Sequence, residues 1–352
     1  TDKTTLSFTT ADEGVPTLSS YSPGYGATDI SVDSNIILNF SEAVDRETGN
    51  IIIYKAADDS VVETIDVTSN KVTGSGTTQI IINPTSNFDS STEYYVQIAA
   101  TAFDDTSGNS YAGITDKTTF SFTSADITAP TINGVSSSTS DGSYKVGDVI
   151  NIAVAFSESV DVVTTGGTPT LELETGSTNR TAAYSSGTGS SSLVFSYTVQ
   201  SGDTASDLDY ASTSALQLNG GTIKDSAGNN ATLTLASPGA SGSLAANQAF
   251  VIDTTAPTIN GSSPADNATA VGINSNFALN FSETVDVETG NIIIYKAADD
   301  SVVETIDVTN NKVTGSGSTQ IIINPTSDFD FSTEYYIQIA ATAFDDTSGN
   351  SY

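Results

Sequence analysis

Carboxylates recur at matching places along the chain, and they are the one abundant kind of side chain in it with chemistry to offer. Glu42 and Asp45 follow Phe40-Ser41, Glu158 and Asp161 follow Phe156-Ser157, and Glu283 and Asp286 follow Phe281-Ser282. Downstream of each group comes an Asp-x-x-Gly-Asn turn, entered at Asp104 or Asp105, at Asp225, and at Asp345 or Asp346. Upstream of each comes another acidic residue: Asp12 or Glu13, Asp126, and Asp253. Several hard oxygen ligands, completed by backbone carbonyls, are what calcium selects; magnesium fits so loose a geometry less well. Ca2+ is therefore the expected cofactor. The competing reading is a solvated acidic loop built on turn-forming Asp and Asn.

Other chemistry is poorly supplied. The chain has no His and no Cys, which removes imidazole and thiolate ligands for zinc, copper and iron. The same absence removes the Ser-His-Asp triad and the Cys-His pair, leaving only paired carboxylates or Ser-Lys arrangements. A carboxylate group that appears once per repeat suits a structural role better than several active sites, so no enzymatic activity is expected. Asp104–Asn109 begins like an EF-hand loop, but the twelfth position is Thr115 rather than a bidentate Glu, and no helices flank it. Lys55 and Lys296 are the lysines to consider for a spontaneous Lys-to-Asn cross-link, although Ala-Ala-Asp-Asp after each reads as a hairpin turn.

Internal repetition shows which elements must position these groups. Gly290–Ser327 matches Gly49–Ser86 at 36 of 38 positions with a constant offset of 241, so Tyr352 falls in phase with Tyr111. Short apolar stretches with period two, bounded by Gly, Asn, Asp and Ser, alternate with turns throughout. In Glu93–Ala100, for example, Tyr94, Val96 and Ile98 point to one face while Tyr95, Gln97 and Ala99 point to the other. About seven such strands per unit, without a convincing helical period, predict an all-β chain of tandem immunoglobulin-like β-sandwiches in an extended rod. The expected domains are 12–124, a divergent 125–256, and 257–352, a near-duplicate of the first that lacks its last strand. In such a sandwich the start of the first strand, the loop after the second and the loop before the last gather at one pole. That pole would collect Asp12, Glu42, Asp45 and Asp104 in the first unit, Asp126, Glu158, Asp161 and Asp225 in the second, and Asp253, Glu283, Asp286, Asp345 and Asp346 in the third. Calcium there would screen like charges and stiffen each junction.

The Asn-Phe-Ser-Glu-x-Val-Asp strand end, the Glu-Tyr-Tyr-x-Gln-Ile-Ala strand, the Asp-x-x-Gly-Asn turn and the Asp-x-Thr-Ala-Pro-Thr linkers at Asp126–Thr131 and Asp253–Thr258 carry a family resemblance. Together they resemble the bacterial Ig-like domains found in tandem in S-layer-associated proteins and giant surface adhesins. The resemblance covers essentially the whole chain. It implies extracellular structural or adhesive work and no particular ligand, because such folds host many functions.

Residues 1–9, Thr-Asp-Lys-Thr-Thr-Leu-Ser-Phe-Thr, recur at 115–123 with Phe120 in place of Leu6. The stretch 1–11 therefore reads as the orphan last strand of a preceding or neighbouring domain, and the chain as a processed or excised fragment. Thr4, Leu6, Phe8 and Thr10 are the residues expected to complete the 257–352 sandwich of the next subunit by strand addition. The result would be an open head-to-tail homopolymer. The alternatives are a passive spacer cut from a continuous adhesin array and an accessory carbohydrate-binding module of a secreted glycosidase. For sugar the chain offers no Trp, only Tyr21 and Tyr25 as candidate exposed rings, and the matching stretch Ser262–Ala268 has neither.

A net charge of −32, from 42 acidic and 10 basic residues, repels nucleic acid and anionic membranes. No apolar run is long enough for membrane insertion, and no signal peptide is visible. Zero Met alongside zero Cys suits an extracellular or cell-surface location, with any surface or matrix ligand elsewhere in the parent protein.

Overall fold

The computed structural model describes residues 5–352, and its regular secondary structure is almost wholly strand. It divides into two compact units. One comprises Thr1–Thr128 with Ala227–Asn229; the other comprises Ala129–Ser226 with Asn230–Tyr352.

The first unit is a two-sheet sandwich. Its strands are β1 (Leu18–Ser22), β2 (Ala27–Ile30), β3 (Ile36–Arg46), β4 (Asn50–Lys55), β5 (Val61–Asp66), β6 (Val72–Thr73), β7 (Thr77–Ile82), β8 (Glu93–Ile98), β9 (Phe103–Asp105) and β10 (Ser121–Ser124). One sheet runs β1-β3-β7-β6, with β9 added to the far end of β3; the other runs β2-β10-β8-β4-β5. Alternation decides which residues face inward: along β3, Ile36, Leu38 and Phe40 are buried, while Ile37 and Asn39 are half-buried. The ladder of β3 with β7 breaks between Asn39 and Val44, after which β3 takes β9 as its partner. The Phe-Ser-Glu-x-Val-Asp motif is thus a bulge, which aims Glu42 out of the regular pleat.

The closing strand β10 lies antiparallel to β8 and parallel to β2. It sends Phe122 into the core, as does Phe120 just before it, at 1% and 0% exposed. Phe122 packs against Phe88 at 5.0 Å and Tyr94 at 5.7 Å between ring centroids.

The second unit holds two separate cores. Around the first, the long strand Val149–Val163 pairs with Ile132–Ser137, Ser190–Thr198 and Thr222–Lys224. Opposite it, Phe250–Asp253 lies parallel to Gly142–Tyr144, burying Phe250 and Ile252 at alternate positions. The one helix among the described residues is the single turn Leu244–Asn247, capped by Ser243. Around the other core, Phe277–Val287 repeats β3, with its bulge between Asn280 and Val285. Among the described residues, the facing sheet contains only Val302–Asp307, Asn291–Lys296 and Tyr335–Ile339.

Candidate functional site

Each acidic pole is assembled by the same local devices. The bulge serine clamps the incoming linker: Ser41 N–H donates to the Thr17 carbonyl at 2.8 Å, and Thr17 N–H donates to Ser41 Oγ at 3.1 Å. Ser157 with Thr131 and Ser282 with Thr258 make the same pair of bonds. In the first and last sandwiches this places Asp12 beside Glu42 and Asp253 beside Glu283.

From the other side comes the Asp-x-x-Gly-Asn turn. Gly108 and Gly349 sit at φ +88° and +83°, where a side chain is disfavoured. The Asp105 carboxylate accepts from the backbone N–H of Ser107 and of Asn109, each at 2.8 Å, and from Asn109 Nδ2 at 2.8 Å. Asn109 Nδ2 also donates to the Asp12 carbonyl at 3.1 Å, tying the turn to the linker. Asp346 and Asn350 reproduce the pattern, with Asn350 Nδ2 at 3.0 Å from the Asp253 carbonyl.

Within single units two carboxylate triads result. Asp12, Glu42 and Asp105 each place an oxygen within 4.8 Å of the other two, and so do Asp253, Glu283 and Asp346. In both the Asp of the turn is buried and the Glu is half-buried. Burial, reinforced by the charges of Asp346 and Asp253, pushes the Glu283 carboxyl above its usual range. Hydrogen bonds from Asn109, side chain first, pull the Asp105 carboxyl below it. A set of three carboxylates with one member resisting ionisation is a set that a divalent cation would relieve.

Of the residues read from the sequence, Asp105 and not Asp104, and Asp346 and not Asp345, enter these groups. Asp45 lies opposite Asp104, and Asp286 opposite Asp345, at paired positions of adjacent strands on the other face. Asp45 accepts from Ser75 Oγ at 3.1 Å. In the middle core Asp161 lies opposite Lys224, and Glu158 and Asp225 come within 4.8 Å of each other. Asp126 belongs to the first unit, where it accepts from Ser90 Oγ and from the Thr128 N–H, each at 2.9 Å. Those bonds, the Thr128 N–H foremost, hold its carboxyl below the usual range. The clamping roles of Asn109, Asn350 and the bulge serines escaped the sequence reading, although their repetition at fixed spacing was the available signal.

A second candidate site is the outer edge of Tyr335–Ile339, which among the described residues pairs with Asn291–Lys296 on one side only. Its counterpart β8 carries β10 on that edge. Ala268–Val271, the counterpart of β2, forms no strand. Tyr94, Val96 and Phe88 are buried, whereas Tyr335, Ile337 and Phe329 are half-buried. Leu6 and Phe8, expected to fill such an edge, are described without a strand and are 89% and 82% exposed. Thr10 is likewise exposed, and Thr4 lies outside the described residues.

Lys55 and Lys296 pair with Asp89 and Asp330 at 2.6 and 2.8 Å with side chains 37% exposed, which is not the buried setting a cross-link requires. Tyr21 is half-buried, its ring 4.4 Å from that of Phe120, while Tyr25 is 62% exposed. Among the described residues no helix is long and apolar enough to cross a membrane.

A family model of a bacterial Ig-like domain matches residues 12–124 and 253–352. Among solved structures, native E. coli alpha-2-macroglobulin is similar at 7% identity and TM-score 0.24, over 95% of this chain and 19% of its own. The extracellular domains 3–5 of Drosophila OTK are similar at 8% identity and TM-score 0.20, over 95% and 96%. The S-layer protein SbsC is similar at 11% identity and TM-score 0.22, over 92% and 52%. This chain thus spans about a fifth of the macroglobulin and about half of the S-layer protein. No protein of curated function matches the chain.

Proposed function

We propose, from the premise that this chain belongs to the bacterial Ig-like domain family, that it is a non-enzymatic structural segment of an extracellular or cell-surface filament or adhesin stalk. Its segments join head to tail, and calcium stiffens its junctions.

One observation carries this reading: nearly identical strands are buried and paired in one sandwich, and one-sided in the other. In the first unit the vacancy is filled by Thr119–Ser124, and residues 5–10 offer the same alternation with Leu6 for Phe120 and Phe8 for Phe122. An exposed strand edge over half-buried aromatics is a template for strand addition. Burying Leu6 and Phe8 there is worth about 1.5–3 kcal/mol each. Because the donor and acceptor surfaces differ, the contact is heterologous and grows into an open filament. The carboxylate triads suit calcium at the poles that the linkers enter.

Negative-stain electron microscopy of the chain, with and without millimolar calcium and beside a variant lacking residues 1–10, tests the reading. Filaments that vanish with the deletion are expected. Short rods in every sample would overturn strand addition between copies and favour a passive spacer whose open edge is covered by neighbouring sequence of one longer chain.

A further inference from the structure

Phe331 is 82% exposed, stands where the first unit has Ser90, and lies next to the open edge. Ser90 is the hub of its own junction. Its Oγ donates to Asp126 Oδ1 at 2.9 Å and accepts from the Ile127 N–H at 2.9 Å, and Thr128 Oγ1 donates to it at 3.0 Å. A phenylalanine can make none of these bonds. It also gains nothing from water, since exposed aromatic area is unfavourable.

The segment that would arrive there differs in a matching way. Aligned on Asp12 with Asp126 and Pro16 with Pro130, Gly14 takes the place of Thr128 and Val15 that of Ala129. The φ of Gly14 does not require glycine, although a Cβ there would lie 3.2 Å from Asp12 Oδ1. That φ lies outside the left-handed region, and the Gly14 N–H closes the same turn onto Asp12 Oδ1 at 2.9 Å that Thr128 closes onto Asp126 at 2.9 Å. The position matching Thr128, which faces Ser90, thus holds a glycine, and the position matching Ser90 holds a phenylalanine. Val15 is 57% exposed and adds apolar surface beside it.

Resting on the head-to-tail reading above, we propose that Phe331 of one copy seats over Gly14 and against Val15 of the next. This large-for-small exchange makes the joint between copies specific and distinct from the Ser90–Thr128 junction within a chain. Phe331 attracts a segment with glycine at this place and rejects one with threonine, whose side chain would occupy the seat of the ring. The partner recognised at this surface is a second copy of this chain.

The test is a double-mutant cycle read as the critical concentration for filament assembly of the full chain. Phe331→Ser and Gly14→Thr are each expected to raise that concentration by on the order of tenfold or more, the worth of a buried aromatic side chain. The double variant, which restores the Ser90–Thr128 chemistry, is expected to recover most of the loss. Strictly additive effects, or assembly unchanged in both single variants while Leu6→Asp with Phe8→Asp abolishes it, would overturn this pairing and leave strand addition standing. Assembly that survives Leu6→Asp with Phe8→Asp would overturn strand addition itself. Far-ultraviolet circular dichroism of each variant separates misfolding from a lost joint.

Discussion

Tyr94 and Tyr335 occupy the same position of two nearly identical strands, yet Tyr94 is 1% exposed and Tyr335 is half-buried. Both hydroxyls accept from a backbone N–H five residues earlier, Asp89 at 2.7 Å and Asp330 at 2.9 Å, so their local settings agree. What differs is the strand beside them. Phe122 lies against Tyr94, and no described residue takes that place for Tyr335.

Amide exchange should report the difference directly. In the unassembled chain the amides of Tyr335–Ile339 should exchange faster than those of Glu93–Ile98, because one-sided pairing lowers the cost of local opening. On assembly they should become protected. Equal protection in the two strands before assembly would contradict an open edge.

Leu6→Asp combined with Phe8→Asp should abolish assembly while leaving the melting temperature of the single chain within about 1 °C, since both side chains are exposed and contribute little to its cores. Calorimetric melting beside a sedimentation assay checks both halves of the expectation.

Calcium at saturating concentration should raise thermal stability. At a hundredfold excess over Kd the gain is about 2.7 kcal/mol per site, or several degrees for a domain of this size. Glu42→Gln and Glu283→Gln should each remove one site in isothermal titration calorimetry. Neither glutamate closes the Asp-x-x-Gly-Asn turn, so both variants should fold. Titration without heat in the native chain would remove calcium from the account.

The raised pKa of Glu283 fixes a pH dependence. The folded chain holds that proton longer than the unfolded one. Without metal, stability from this group is therefore full below its unfolded pKa, about 4.3, and is lost as pH rises through the folded value. Calcium competes with the same proton, so its stabilising increment should be larger at pH 7 than at pH 5. Glu283→Gln should level the two, and an equal increment at both pH values in the native chain would count against Glu283 as a ligand.

The middle core offers a control remote from assembly. Asp203, 1% exposed, accepts from Arg180 Nε at 2.7 Å, from the Tyr197 hydroxyl at 2.6 Å and from the Gln200 N–H at 2.8 Å. Burial pushes its carboxyl up, but Tyr197 and Arg180 outweigh that and hold it below the usual range. Its contribution is therefore present above the unfolded pKa and lost as pH falls through the folded one. Asp203→Asn should cost about 3 kcal/mol in urea unfolding of the middle core, through the buried pair it breaks, and should leave filament formation intact.

The sequence by itself determined the all-β class, the repeat phase, the inward faces and the residue types of the acidic poles. Period-two alternation and turn-forming Gly, Asn and Asp act over a few residues, so they are legible without long-range information. Val44, Ile51 and Ile53 are buried as their alternation requires, and Val285, Ile292 and Ile294 repeat them. Only the tertiary structure decided which of two adjacent aspartates joins each triad. Asp104 and Asp105 differ by the single residue that turns a side chain to the opposite face of a strand, and strand pairing, not spacing, sets that register. It also decided that Tyr335 and Phe329 stand half-covered while Tyr94 and Phe88 are sealed. Burial depends on what packs from elsewhere in the chain, and two nearly identical segments carry no record of whether a neighbour is there.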